Sequence, residues 1–316
     1  MERFALLGAF AFVVLVFGIL SPKVFLTGAN WSTILGSQAV LVVLTLGLLV
    51  PMTSGDYDMS VASVLTLSSM TVGVLNVQLH VGIVWAVLAA LLVGALVGWV
   101  NGALVMLFDI DPFIVTLGTS TVTTGGVLWL SNSTTISGIS QSLVNAVVVN
   151  RFLGIPLEFY YGLALSIVLW YFFEYTSLGR RFLFVGRGRN VARLSGIRVN
   201  RLRWAGLITS GVISAFAGVL YTGTTGAADP TSGLSFLLPA FAAAFLGATS
   251  IFPGRFNPWG SFIAVYFLVT GITGLTILGM QAYVQDLFYG GALVLAVAFS
   301  QIVRKRQASL RSRQKA

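Results

Sequence analysis

Apolar residues fall in long unbroken runs, without the polar alternation of elements that face water. Residues 59–108 contain no Asp, Glu, Lys or Arg. As helix, at about 1.5 Å per residue, this stretch reaches on the order of 75 Å, enough to cross a hydrocarbon core of about 30 Å twice. Asn76, Gln78, His80 and Gly82 mark the turn between the crossings. The same reading predicts spans near 4–20, 34–52, 60–77, 83–107, 113–130, 159–176, 204–224, 236–251, 258–279 and 284–303, ten in all. The segment 236–251 is short, and a broken or re-entrant element fits it as well as a full span. The run after Arg3 begins as a signal peptide would, but it continues to Leu20 with no small-residue cleavage pattern, so it reads as a retained span. The expectation is an all-α polytopic membrane protein, a single transmembrane domain over residues 1–316.

Composition agrees with this class. Hydrophobic residues make up 57% of the 316 and charged residues 9%, against about 25% charged in soluble domains. The 35 glycines suit closely packed membrane helices, where small residues let backbones approach. Trp31, Trp85, Trp99, Trp129 and Trp259 fall near span ends, as in an aromatic belt.

The net charge of +9 changes the picture through its placement. The loop 177–203 holds Arg180, Arg181, Arg187, Arg189, Arg193, Arg198, Arg201 and Arg203 with no acid, and the tail 304–316 holds six more cations. Both regions are expected in the cytoplasm, where basic loops collect. Six expected spans precede the loop and four separate it from the tail, so both termini share its side and 131–158 lies outside. The charge is thereby explained as topology, without nucleic acid.

Several chemistries are excluded. The chain has no Cys and one His, His80, which rules out thiolate and His-cluster metal sites. None of Lys23, Lys305 and Lys315 stands in the Gly-Lys-Ser/Thr context of a P-loop. No catalytic residue, metal or cofactor is expected. No predicted helix centre carries an ionisable residue, which counts against a proton-coupled carrier.

What remains is local. Residues 189–195 suit a short helix ended by Gly196, with Val191 and Leu194 three apart. Such a helix is either a docking knob for another protein or part of a basic loop lying on anionic lipid. Asp58 precedes an apolar helix and reads as an N-terminal cap or as a gating group. Thr116, Ser120 and Thr124 share one helical face, where they line a solute path or bond neighbouring helices. A faint internal echo links Gly55–Ser63 with Gly254–Ser261, each a glycine and polar residues ahead of an apolar helix.

Three motifs carry a resemblance. Gly179-Arg180, Gly186, Asn190 and Ala192-Arg-Leu-Ser-Gly-Ile197 resemble the cytoplasmic segment of ABC importer permeases of the ribose/monosaccharide type, within the branched-chain amino acid/sugar permease family. Gly55-x-x-Asp58-Met-Ser60-Val-x-Ser63 and Asn101-Gly102 followed by Pro112-Phe-Ile-Val-Thr-Leu-Gly-Thr119 are similar to two further family motifs, in the same order. The resemblance implies a permease subunit of an ATP-driven importer in the bacterial inner membrane. It would move a small polar solute, a monosaccharide or polyol, delivered by an extracytoplasmic binding protein. It also implies a second permease subunit and two ATPase subunits that bind the ATP. Gly179, Arg180, Gly186, Asn190, Arg193, Leu194, Ser195 and Gly196 are then the ATPase-coupling residues, and Asp58, Ser60, Asn101, Thr116, Thr119, Ser120 and Thr124 the solute-path or gating residues. A carrier or channel acting alone is the alternative.

Overall fold

The computed structural model describes residues 4–313, with side chains as far as Ala298. The side chains of the basic tail 304–316 lie outside the described residues. The expected segments overlap helices, 34–52 falling on two of them and 236–251 only as far as Gly247. In chain order the helices are α1 (Ala5–Leu20), α2 (Pro22–Phe25), α3 (Gly28–Ser37), α4 (Ala39–Thr53), α5 (Val61–Gly73), α6 (Ile83–Phe108), α7 (Pro112–Leu130), α8 (Gln141–Val144), α9 (Leu157–Tyr175), α10 (Ser177–Arg187), α11 (Arg189–Leu194), α12 (Val199–Thr225), α13 (Leu234–Gly247), α14 (Pro258–Ile277) and α15 (Tyr283–Arg313). A π-helical turn, Val74–Gln78, prolongs α5. Among the described residues, six helical stretches are long and apolar enough to cross a bilayer: Gly28–Thr53 (α3 and α4 together), Val61–Gln78, Ile83–Phe108, Pro112–Leu130, Val199–Thr225 and Pro258–Ile277. α1, α13 and the first part of α15 are apolar but shorter.

α12 is the hub, packed against α6, α4 and α5. Its seam with α6 is made by glycine at every fourth position. A Cβ on Gly94, Gly98 or Gly102 would run into Gly211 and Ala215, the Leu207 backbone, or the Trp204 ring, respectively. The four-residue spacing puts all three glycines on one side of α6, and the backbones close on each other along it. Every residue of α4 is buried, which explains why its run of Val and Leu shows no polar face. Between α5 and α12, hydroxyl groups bond across at 2.7 Å: Ser68 donates to the Ala215 carbonyl and Thr222 to Ser69.

The short segment 236–251 is helical as α13, as far as Gly247. Its 14 residues span about 21 Å, less than the hydrocarbon core. The chain returns from the end of α12 alongside α5. Ala228 pairs with Ile136, and the Gly233 amide then donates to Thr66 Oγ1 at 3.0 Å before α13 begins. The helix therefore starts beside the body of α5, inside the bundle.

The loops sort onto two ends. The π turn joins the 131–140 segment at one end, where the Ser140 amide donates to Asn76 Oδ1 at 2.9 Å. The α4–α5 loop, the start of α7, α10, α11 and the 248–257 loop gather at the other. The basic stretch 177–203 holds more structure than expected. Before α11 stands α10, an amphipathic helix that buries Gly179, Phe182 and Val185.

Candidate functional site: a buried polar cluster beneath an exposed basic helix

The α4–α5 loop buries both of the acids it carries, Asp56 and Asp58, and leaves Gly55 and Tyr57 exposed. Asp58 accepts from the Ser60 amide at 2.9 Å, the Ser60 hydroxyl at 2.6 Å and Ser210 Oγ on α12 at 2.8 Å. Asn101 Nδ2 on α6 donates to Ser60 Oγ at 2.9 Å, while Asn101 Oδ1 has no partner among the described residues. The Met59 amide donates to Thr116 Oγ1 on α7 at 2.9 Å, and Thr116 donates on to the Pro112 carbonyl at 2.8 Å. Four of the seven expected path residues, Asp58, Ser60, Asn101 and Thr116, thus meet in one cluster that joins α5, α6, α7 and α12. Burial pushes the Asp58 carboxyl up from its usual value, and the bonds from Ser60 and Ser210 pull it back.

The detail differs from a simple cap. Ser60, not Asp58, is the N-terminal cap position of α5, and Asp58 binds Ser60 itself rather than the first turn. Further along α7, Ser120 is buried and Thr124 donates to its carbonyl at 2.9 Å, while Thr119 is half-buried. No hydrogen bond described joins these three to the cluster.

The reading of single residues missed Asp56. It is fully buried and accepts Nε and Nη2 of Arg203, each at 2.8 Å, and Nη2 of Arg189 at 2.6 Å. The available signal was scarcity: with nine acids in the whole chain, two of them two residues apart between apolar runs each need a partner. The echo at 254–261 is structured too. Asn257 Oδ1 accepts the Gly260 amide at 2.7 Å and caps α14, and neighbouring Arg255 pairs with Glu174 at the end of α9.

The expected coupling residues divide into two kinds. Gly179 and Gly186 serve close approach within the chain, since a Cβ would strike the Phe172 carbonyl in the first case and the Thr53 carbonyl in the second. Arg180, Asn190, Arg193, Leu194, Ser195 and Gly196 are exposed. α11 ends in a Schellman motif: the Gly196 amide donates to the Arg193 carbonyl and the Ile197 amide to the Ala192 carbonyl, both at 3.0 Å. Gly196 makes this possible with φ +80°, a left-handed conformation costly for residues with a Cβ. Ala192 anchors α11 on Val185 and Val199, and Ile197 packs on the same patch. Leu194 is left 89% exposed at the tip.

A groove of about 470 Å³ lies between α13, α15 and the α4–α5 loop, lined by Tyr57, Met59, Phe113, Phe241 and Phe245 among others. Tyr57 also borders a second cleft of about 610 Å³ that reaches Gly186, Arg187 and Arg255 at the basic end.

Bundled apolar helices around a buried polar cluster, with an exposed basic knob at one end, define a polytopic helical membrane protein. The chain belongs to the family described as the permease component of the branched-chain amino acid transport system, whose model matches residues 30–297. It is 34% identical to the D-allose transport system permease protein AlsC of Escherichia coli K12 over 93% of this chain and 90% of that one. It is 33% identical to the ribose import permease protein RbsC of Bacillus subtilis 168, over 92% and 90% of the two chains. To the autoinducer 2 import system permease protein LsrD of Salmonella typhimurium LT2 it is 30% identical, over 93% and 89%. These relatives are transport permeases. No solved structure matches the chain.

Proposed function

We propose that this chain is the permease subunit of an ATP-driven importer of the bacterial inner membrane, and that its solute is a monosaccharide or polyol. The observation that carries the reading is α11, a short helix clamped at its base by Ala192 and at its end by Gly196, presenting Leu194 to solvent. With no P-loop in the chain, ATP hydrolysis falls to a partner, and α11 is the knob that the ATPase grips. The sugar assignment is supported by the relatives named for allose and ribose. Delivery by an extracytoplasmic binding protein and pairing with a second permease chain follow from the same importer class. The groove beside Tyr57 is lined mostly by apolar side chains, and in this reading a second permease copy completes the path. In the mechanism, ATPase closure moves α10 and α11, and the polar cluster around Asp58 shifts with the helices it joins.

The test is purification of the tagged chain from its own membranes, with mass spectrometry of what comes with it. A P-loop ATPase and a solute-binding protein are expected, together with ATP-dependent uptake of radiolabelled D-ribose or D-allose in intact cells. A chain that purifies alone and carries sugar without ATP is the stand-alone carrier.

The placement of α10 and α11 in the cytoplasm and of 131–158 outside makes a separate prediction. The chain has no cysteine, so single-cysteine variants label without background. Ser137 and Asn200 are exposed at opposite ends of the bundle. Ser137→Cys reacts with an impermeant maleimide in intact cells, and Asn200→Cys reacts only after the membrane is opened. The reverse pattern inverts the topology.

A further inference from the structure

Asp56 connects parts of the molecule that the function above treats separately. Its carboxylate holds two arginines of different character. Arg203 on α12 is 9% exposed and grips both oxygens, through Nε at 2.8 Å from Oδ2 and Nη2 at 2.8 Å from Oδ1. Arg189, the first residue of α11, is 38% exposed and reaches Oδ1 at 2.6 Å through a single nitrogen, which also donates to the Gly55 carbonyl at 2.8 Å. Two residues further along the loop, Asp58 is bonded to Ser210, seven residues and two turns beyond Arg203 on α12. The loop is therefore pinned to α12 at two points, and Arg189 ties the base of the coupling helix to one of them.

We propose that Asp56 is a positioning residue for transport. Through the exchangeable Arg189 contact it couples displacement of α11 to the buried cluster of Asp58, Ser60, Asn101 and Ser210. The asymmetry of the two arginines makes this workable. If Arg189 withdraws into water, Asp56 keeps its bidentate bond to Arg203, so no buried charge is orphaned. The Arg189 arm can open and close within a transport cycle while the Arg203 arm stays shut. A coupling helix that swings away releases the α4–α5 loop on that side. One that swings back restores the Nη2 bonds to the Asp56 carboxylate and the Gly55 carbonyl, with the Ser54 carbonyl 3.4 Å away. The proposal deepens the importer reading and rests on it.

The test uses the whole transporter in its own membranes, with D-ribose and D-allose as probes. Arg189→Ala removes the exchangeable arm and leaves the Asp56–Arg203 pair. Arg201→Ala removes an exposed arginine from the first turns of α12 and serves as the charge control. The expected result for Arg189→Ala is normal permease level, normal ATPase retention and continued ATP hydrolysis, with sugar uptake down about fivefold or more. Arg189→Lys restores the charge but not the planar fork, and uptake recovers in part. Uptake by Arg189→Ala equal to that of Arg201→Ala overturns the proposal. So does loss of the ATPase together with uptake, which makes Arg189 a docking contact, and so does loss of the permease from the membrane, which makes it a static brace. A wild-type transporter that retains no ATPase and takes up neither sugar overturns the importer reading and this proposal with it.

Discussion

Leu194→Asp yields a permease that inserts and folds normally but loses its ATPase and its transport together. Leu194 is 89% exposed on a six-residue helix, so the chain itself spends nothing on it. The anchoring is done by Ala192 and Ile197 against Val185 and Val199, and none of these changes. In the proposed docking, this apolar side chain at the tip of the helix enters a groove on the ATPase. Burying an unpaired carboxylate in that groove costs several kcal/mol, enough to empty it. The eight arginines of residues 177–203 outweigh one added acid, so the sidedness of the loop is kept. Three measurements on this variant decide the matter: permease level in the membrane, ATPase retained on purification, and uptake. Normal retention with normal uptake returns the loop to a purely topological role.

Gly98→Ala strongly destabilises the folded protein, although it adds a single methyl group. The new Cβ would stand 2.8 Å from Ile208 Cα and closer still to the Leu207 carbonyl, both backbone atoms of the central helix. Backbone has no rotamer with which to retreat, so α6 and α12 must separate along the whole glycine seam. Overpacking of this kind costs about 1–3 kcal/mol where side chains can adjust, and more where they cannot. Separation also drags Asn101, three residues along α6, away from Ser60 and opens the cluster. Gly118→Ala is the internal control. Nothing lies within 4 Å of a Cβ there, and alanine is the better helix former by about 1 kcal/mol. The expected pattern is a sharp fall in the thermal midpoint of detergent-purified Gly98→Ala and none for Gly118→Ala. Equal midpoints would mean that the seam is looser than drawn.

Much of this was readable from local patterns. The apolar runs placed the helices, because a bilayer demands continuous apolar length and a helix satisfies its own backbone. The glycine at 196 announced the end of α11, because a Schellman turn needs a left-handed residue at one position. The shortness of the 236–251 run has its counterpart in α13, an apolar helix of 14 residues. α10 was hidden, since its buried face of Gly179, Phe182 and Val185 sits among arginines that dominate any reading by charge.

The sequence by itself determined the class of protein, the helical segments, the arginine-rich end and the residue types of the polar cluster. Each of these follows from interactions between near neighbours in the chain or between a segment and its solvent. Only the tertiary structure decided which acid meets which base. Asp56 lies 147 residues from Arg203 and 133 from Arg189, and Asp58 lies 152 from Ser210. Nothing local distinguishes Asp56 from Asp58, and both stand in one short polar loop. The choice is made by the glycine seam, which lets α12 close on α6 and carry Arg203 and Ser210 to opposite ends of that loop. Once those acids are buried, charge can be kept there only where a partner already stands.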